Sequence, residues 1–145
     1  MMIELTDDTG ALRSANCIIC GENNGQGLNW KFCREADGVV YAEGTVPKGF
    51  QGFDGIVHGG IIAAILDDAM WWALYYQGDI AAMTAEMTVR YRSPVRVDDP
   101  LRVEANLEEG RGRRYRATAR LIDPVESDVL AVSDGTYLVP RSEQS

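Results

Sequence analysis

The sequence has little histidine, little cysteine and a deficit of positive charge, and each shortage excludes a class of protein. Its 145 residues include a single histidine, His58. A histidine metal cluster is therefore excluded, and any Ser-His or Cys-His catalysis would have to use this residue. Fourteen basic residues against 22 acidic ones give a formal net charge of −8. Nucleic acid is a poor partner for such a chain, because phosphate contacts require a basic surface. Three cysteines, an odd number, do not indicate a disulfide framework.

The remaining composition is typical of one ordinary globular domain. The chain weighs 16.0 kDa and is 46% hydrophobic and 25% charged, which is enough to bury a core. We expect one domain over residues 1–145, with residues 1–27 as a loose N-terminal arm. No secretory leader is recognised, so a cytoplasmic location is expected. The most apolar run, residues 59–76, carries Asp67 and Asp68 at its centre. Two charges there favour a buried helix over a membrane span.

Cys17 and Cys20 have the spacing of a metal knuckle or a redox pair. A zinc ribbon uses two such knuckles, and the sequence contains one. We therefore expect buried free thiols and no metal.

The hydrophobic pattern predicts an antiparallel sheet and one helix. Period-two alternation with one polar face is typical of antiparallel strands covered on one side. Strands are predicted over residues 28–35, 39–46, 84–93, 101–109, 114–122 and 129–139, the last with a bulge at Gly135. The run 59–76 is the only large apolar body, so the fold class is α+β, with the sheet wrapped around one long central helix.

Val57-His58-Gly59-Gly60 lies directly before this helix and is the sharpest local motif. Glycines allow a ligand to approach the backbone, and a helix start presents unpaired N–H groups. The motif therefore predicts an oxyanion site for a carbonyl group. The alternative is that the glycines only allow a tight turn into the helix.

Asp67 and Asp68 are the candidate carboxylates for general base catalysis. A carboxylate in an apolar helix is costly unless it is hydrogen-bonded or paired. Helical spacing does not separate the two residues, although for Asp68 we expect a partner arginine. Eight residues separate Gly59 from Asp67, so their backbones lie about 12 Å apart on one helix. One chain can hardly bring both to one carbonyl, and the motif therefore predicts a dimer with composite sites.

Positive charge is concentrated in residues 89–120, which hold nine arginines against five acids, net +4. Most of these arginines, including Arg102, Arg116 and Arg120, are expected to form ion pairs across strand faces. Those near turns are better candidates for an anion: Arg92, Arg96, Arg111 and Arg113.

The combined motifs resemble the hotdog-fold thioesterases of the phenylacetate-pathway (PaaI-like) type. The resemblance covers nearly the whole chain. It lies in His58-Gly59-Gly60 with Asp67 at the ninth position after the histidine, in Tyr91-Arg92-Ser93-Pro94, and in Cys17-x-x-Cys20-Gly21-x-x-Asn24-x-x-Gly27-Leu28. It implies a hotdog fold, hydrolysis of acyl-CoA to free acid and CoA without a cofactor, and a homodimer that forms a dimer of dimers.

The resemblance also implies roles for individual residues. The Gly59 N–H would polarise the thioester carbonyl, and His58 would shape the carbonyl side. Asp67 of the other subunit would act as base or nucleophile, and Thr84 would orient the water. Substrate-binding residues would be Gly60, Gln51, Arg92, Ser93, Arg96 and Arg111.

One position departs from the family pattern, since Gly52 stands where some members have asparagine, and Gln51 is the possible substitute. Two other functions remain open: a non-catalytic acyl-CoA sensor and a hotdog hydratase or dehydratase. The acyl group is not indicated, because the aromatic residues of the helix are more typical of core or interface than of an acyl pocket: Trp71, Trp72, Tyr75 and Tyr76.

Overall fold

The computed structural model describes residues 3–4 and 14–141 and contains seven strands and one long helix. The elements are β1 (Ile3–Glu4), β2 (Phe32–Arg34), β3 (Val40–Gly44), α1 (Gly59–Gly78), β4 (Met83–Tyr91), β5 (Leu101–Arg111), β6 (Arg114–Ile122) and β7 (Val129–Leu138), with a 3-10 turn over Lys48–Phe50. The predicted order of six strands and one helix is confirmed for β2 to β7 and α1, although β2 and β3 are shorter than predicted. Strand β1 was not predicted.

The strands form one antiparallel sheet in the order β1-β2-β3-β5-β6-β7-β4. The alternation predicted for β5 is confirmed, because Leu101, Val103 and Ala105 are buried while the residues between them are not. These side chains contribute to the core that the sheet forms with α1. The predicted architecture, a sheet wrapped around one helix, is therefore confirmed.

Helix α1 runs two residues beyond the predicted end at Tyr76. Eight of its side chains are buried, including Leu66 and Met70 in the middle. Its 20 residues span about 30 Å. Asp79 ends it in the left-handed conformation, with its N–H bonded to the carbonyls of Leu74 and Tyr75. No helix in residues 3–4 or 14–141 has the length and apolarity needed to cross a membrane.

The bulge predicted at Gly135 is wrong. Gly135 lies in regular register between Met87 of β4 and Ala117 of β6, and the register shifts fall elsewhere. A Cβ at Gly135 would lie 2.9 Å from both Met70 Cε and Tyr137 Cε2. The glycine therefore allows close packing of α1 on the sheet, a reason that its position in the sequence does not show.

The prediction of a loose arm over residues 1–27 is also wrong for the part that is described. Ile19 is only 2% exposed, and the backbone of this segment is tied to the next by hydrogen bonds from Leu28 N to Ile18 O (2.8 Å) and from Trp30 N to Ile19 O (2.8 Å). A Cβ at Gly21 would lie 2.3 Å from the Cys17 nitrogen. The glycine belongs to a tight turn rather than to a loose segment. Residues 1, 2 and 5–13 of the predicted arm lie outside the described residues.

Candidate active site

The turn into α1 presents an available backbone N–H at Gly59. His58 is the N-cap residue, and its Nδ1 accepts a hydrogen bond of 2.8 Å from the Gly60 N–H. The Gly59 N–H makes no hydrogen bond within residues 14–141. Because it lies at the positive end of the helix dipole, it can stabilise a developing oxyanion. Of the two glycines, Gly59 is therefore the one available to a carbonyl.

The cap also determines what His58 can offer. A neutral imidazole that accepts at Nδ1 carries its proton on Nε2. The ring is exposed, so Nε2–H can donate to a ligand. A Cβ at Gly60 would lie 3.1 Å from His58 Nδ1, and one at Gly52 would lie 3.3 Å from His58 Cα. Both glycines therefore keep space around the capping ring.

A cavity of about 730 Å³ opens beside this turn. It is lined by four of the predicted site residues, His58, Gly59, Arg92 and Ser93, and also by Tyr91. The Tyr91 hydroxyl donates a hydrogen bond of 2.7 Å to the Gly59 carbonyl and so fixes the end of β4 to the start of α1. The sequence motif contained Tyr91, but nothing in its spacing revealed this contact.

Other predicted binding residues lie outside the lining of this cavity. The Gln51 Oε1 accepts from the Gly55 N–H at 3.0 Å and therefore braces its own loop. Arg96 forms an isolated backbone bridge with Ile56. Arg111, at the end of β5, lines a separate cavity of about 530 Å³ together with Arg114 and Arg116 of β6. Of the three arginines predicted to bind substrate, the structure places only Arg92 in the cavity.

Asp67 lies near the middle of α1, and its carboxylate accepts hydrogen bonds from two hydroxyl groups. Its Oδ1 accepts hydrogen bonds from Thr84 Oγ1 (2.7 Å) and from the Tyr137 hydroxyl (2.6 Å). Burial and the neighbouring Asp67 carboxylate raise the pKa of Tyr137, which keeps it a hydrogen-bond donor. Tyr137 is a candidate site residue that the sequence did not indicate, since it lies 70 residues from Asp67 in the chain.

Asp67 and Gly59 do not share a cavity within one chain. Neither Asp67 nor Thr84 lines the cavity that contains Gly59. Eight residues of regular helix keep their backbones about 12 Å apart, and a helix cannot bend enough to close this gap. The Asp67 carboxylate and the Gly59 N–H therefore lie apart within one chain.

Asp68 faces two cysteines and not the arginine that we expected. Its Oδ1 accepts from the Cys17 thiol at 3.5 Å, and its Oδ2 is buried without a hydrogen-bond partner in the described chain. Burial raises the pKa of Asp68 well above its usual range. The Cys20 thiol lowers the pKa of Cys17 to about 5, while the hydrogen bond with Cys17 and burial raise the pKa of Cys20. These three residues are the candidate metal ligands of the described chain.

Three of the nine arginines in residues 89–120 form ion pairs within the part of the chain that the structure describes, so the prediction that most of them do so is wrong. Arg102 bonds Glu35 at 2.9 Å and Glu104 at 2.8 Å, and Arg120 also bonds Glu104 at 2.8 Å. Arg116 pairs with Asp134 at 2.7 Å across β6 and β7. These contacts account for the three arginines that the sequence assigned to ion pairs.

We expect Glu104→Gln to destabilise the protein by about 1 kcal/mol near neutral pH. Burial opposes ionisation of Glu104, but hydrogen bonds from Arg120 and Arg102 outweigh it and lower its pKa. A carboxyl with a lowered pKa stabilises the fold above its unfolded pKa, and this contribution is lost as the pH falls through the folded value. Urea unfolding at several pH values should therefore show a difference at pH 7 that shrinks below about pH 4. A difference that is equal at all pH values would contradict the assignment.

The aromatic residues of α1 belong mainly to the core, as expected. Trp72 is 4% exposed and stacks on Phe32, with ring centroids 6.1 Å apart. Trp71 stacks on Tyr75, and its Nε1–H donates to the Ala82 carbonyl at 2.9 Å. None of these side chains lines the cavity at Gly59.

A sheet around one helix, with a His-Gly-Gly turn at the helix start and an aspartate in its middle, is the architecture of a hotdog-fold protein. A family model described as thioesterase superfamily matches residues 54–127, about half of the chain. The chain belongs to the thioesterase superfamily, and the predicted hotdog fold is confirmed.

Solved structures agree with this assignment. A crystal structure of a thioesterase superfamily protein shares 25% identity with a TM-score of 0.78, covering 86% of this chain and 60% of that one. The phenylacetic acid degradation protein PaaI of Thermus thermophilus, solved as a mutant, shares 21% identity over 78% of this chain and 95% of its own, with a TM-score of 0.68.

A third structure, Streptococcus mutans smu.793 bound to acetyl CoA, shares 17% identity over 77% of this chain and 89% of its own, with a TM-score of 0.69. At this identity the likeness shows the fold. A comparison with curated proteins returns no significant match.

Proposed function

We propose that the protein hydrolyses acyl-CoA thioesters to a free acid and CoA. The observation that carries the proposal is the Asp67 carboxylate, whose Oδ1 accepts hydrogen bonds from the Thr84 and Tyr137 hydroxyl groups. Asp67 lies on the same helix as Gly59, whose N–H is available to a carbonyl oxygen. Membership of the thioesterase superfamily and the relative bound to acetyl CoA support a CoA thioester as substrate. The resemblance to the PaaI-like type supports the same reaction.

The hydrogen bonds to Asp67 suit the carboxylate to activate water. Both hydroxyl groups bond Oδ1, so Oδ2 can accept a proton from water, and the Thr84 oxygen can accept a second hydrogen bond that orients the water. As the water oxygen attacks the thioester carbon, the Gly59 N–H stabilises the charge on the carbonyl oxygen. The C–S bond then breaks, and the CoA sulfur takes the proton from Asp67. Direct nucleophilic attack by Asp67 is the alternative route to the same products.

The free edge of β4 supports a dimer that completes this site. In the described chain β4 pairs with β7 along one edge only, and its Met83 and Tyr91 side chains are 60% and 52% exposed. An unpaired strand edge is a template for pairing with a second copy. Antiparallel pairing of two β4 strands would set the two α1 helices antiparallel, with Gly59 of one subunit near Asp67 of the other. Two such dimers could then associate into a tetramer.

The test of the function is thiol release from a panel of aryl- and fatty acyl-CoAs. We expect release from at least one substrate class at a rate well above the spontaneous one. Tight binding of an acyl-CoA without release would instead favour a sensor. A change in the acyl double bond with the thioester intact would favour a hydratase or dehydratase. Either result would overturn the thioesterase proposal.

A mixture of two inactive variants should recover activity if the site is shared. The Gly59→Pro chain lacks the oxyanion donor, and the Asp67→Asn chain lacks the base, so each homodimer is inactive. A mixed dimer contains one intact site, and random mixing should restore about a quarter of the activity of the unmodified protein. Thiol release after co-refolding or co-expression of the two chains measures this.

Mass spectrometry of differently tagged chains can verify that the mixture contains mixed dimers. If such a mixture recovers no activity, the composite site is contradicted. Sedimentation of the protein as a folded 16.0 kDa monomer at assay concentration would contradict the dimer itself.

A further inference from the structure

A cluster of two thiols and one carboxylate lies apart from the candidate active-site cavity. The sulfur atoms of Cys17 and Cys20 and a carboxylate oxygen of Asp68 all lie within 4.8 Å of one another. None of the three residues lines the cavity at Gly59. Cys33, the third cysteine of the chain, does not belong to the cluster.

The backbone around the two cysteines places an N–H group where it can stabilise a thiolate. The Ile19 N–H donates to Cys17 Sγ at 3.4 Å, and the Gly21 N–H closes the turn on the Cys17 carbonyl at 2.9 Å. A Cβ at Gly21 would collide with the Cys17 nitrogen, so the turn requires glycine. N–H donors directed at sulfur stabilise a thiolate, the form of cysteine that ligates metals.

Cys20 receives a matching donor from the helix. Trp72 Nε1–H donates to Cys20 Sγ at 3.4 Å. Trp72 is a core residue of α1, so this donor is rigidly placed. Both sulfurs therefore have an N–H neighbour, one from the turn and one from the helix.

Asp68 provides the observation that points to a missing cation. Its Oδ2 is buried and has no hydrogen-bond partner in the described chain, and its Oδ1 accepts a hydrogen bond from the Cys17 thiol at 3.5 Å. An unpartnered buried carboxylate oxygen is costly, and no arginine or lysine of residues 14–141 forms an ion pair with Asp68. A bound cation would remove this cost.

We propose that Cys17, Cys20 and Asp68 bind a thiophilic divalent cation of the zinc class. Zinc takes thiolate ligands at about 2.3 Å and carboxylate oxygens at about 2.0–2.2 Å in tetrahedral geometry, which separates sulfur from oxygen by about 3.6 Å. The separation of Cys17 Sγ from Asp68 Oδ1 is 3.5 Å. The two thiolates would balance the charge of the divalent cation, the carboxylate would add one further negative charge, and solvent or an added ligand would take the fourth position.

The site would tie the N-terminal segment to the helix that carries the candidate base. Cys17 and Cys20 come from a turn before β2, whereas Asp68 follows Asp67 directly on α1. A metal bound only by the folded chain stabilises it by mass action. The cation would therefore raise the melting temperature, and this effect does not depend on the proposed thioesterase function.

The test is Co²⁺ and Zn²⁺ binding by the full-length protein after reduction and removal of metal by a chelator. We expect one Co²⁺ per chain with a thiolate-to-cobalt charge-transfer band, displacement by Zn²⁺, and a higher melting temperature with either metal. Cys17→Ser and Cys20→Ser should each abolish the band, and Asp68→Asn should weaken binding at least about tenfold. Cys33→Ser, the matched control, should bind as the unmodified protein does.

A second measurement uses the unmodified protein and does not depend on the folding of any variant. Bound Zn²⁺ should protect Cys17 and Cys20 from alkylation and leave the reactivity of Cys33 unchanged. The proposal is overturned if the reduced protein shows no thiolate band with Co²⁺, or if Zn²⁺ protects none of the cysteines. A Cys17–Cys20 disulfide in the isolated protein, with no metal bound after reduction, would also overturn it and identify a redox pair.

Discussion

Asp67→Asn should lower the rate of thioester hydrolysis at least about 100-fold with little effect on substrate binding. The carboxylate is the group that takes the proton of the attacking water, and removal of a general base typically costs this much. Asparagine has nearly the same shape and can still accept from Thr84 and Tyr137 through its Oδ1, so the local packing should persist. Thiol release with a substrate that is active in the panel measures kcat and KM separately.

Asp99→Asn is the matched control, because Asp99 is exposed, lies in the turn before β5 and does not line the cavity at Gly59. It should leave kcat unchanged. Equal rates for Asp67→Asn and the unmodified protein would exclude Asp67 as base or nucleophile. A loss that appears only in KM would assign Asp67 to binding.

Gly59→Pro should remove the oxyanion donor without breaking the helix. Gly59 is the first residue of α1, the position where proline is best tolerated because its missing N–H has no partner within the helix. The preceding residue, His58, has φ −59° and ψ 135°, a conformation that proline permits in its neighbour. Loss of one oxyanion donor typically lowers kcat by about 10²–10³-fold. Thiol release measures this loss, and circular dichroism verifies the helix.

Gly59→Ala separates the loss of the N–H from the added bulk. A Cβ at this position would lie 3.6 Å from the Tyr91 ring, an ordinary van der Waals contact. The alanine variant keeps its N–H and should retain most of the activity. If both variants lose activity equally, activity depends on the space at Gly59 and not on its N–H, and the assignment of the N–H as oxyanion donor is wrong.

The elements of the fold could be predicted because their signals are local. The alternation in β5 and β6 and the apolar run of α1 are patterns of neighbouring residues, so both types of element and their order followed from the sequence. The turn His58-Gly59-Gly60 could be placed for the same reason, because an N-cap and a helix start are defined within a few residues.

The partners of individual residues could not be predicted, because they come from distant parts of the chain. The sequence predicted a loose segment at Gly21 and a bulge at Gly135. Instead, Gly21 is required because the Cys17 backbone lies close to it, and Gly135 is required because Met70 and Tyr137 lie close to it. The same holds for Asp68, whose neighbours on the helix are apolar and whose contact Cys17 lies 51 residues away.

The sequence by itself determined that this acidic chain forms a sheet around one helix, with a glycine turn at the helix start. It also determined that the backbones of Gly59 and Asp67 lie about 12 Å apart on that helix, because the rise of a helix per residue is constant. The family resemblance singled out Asp67, but only the tertiary structure showed how the surroundings of the two adjacent aspartates differ. Packing of β4 and β7 on α1 brings two hydroxyl donors to Asp67, whereas the N-terminal turn brings two thiols to Asp68.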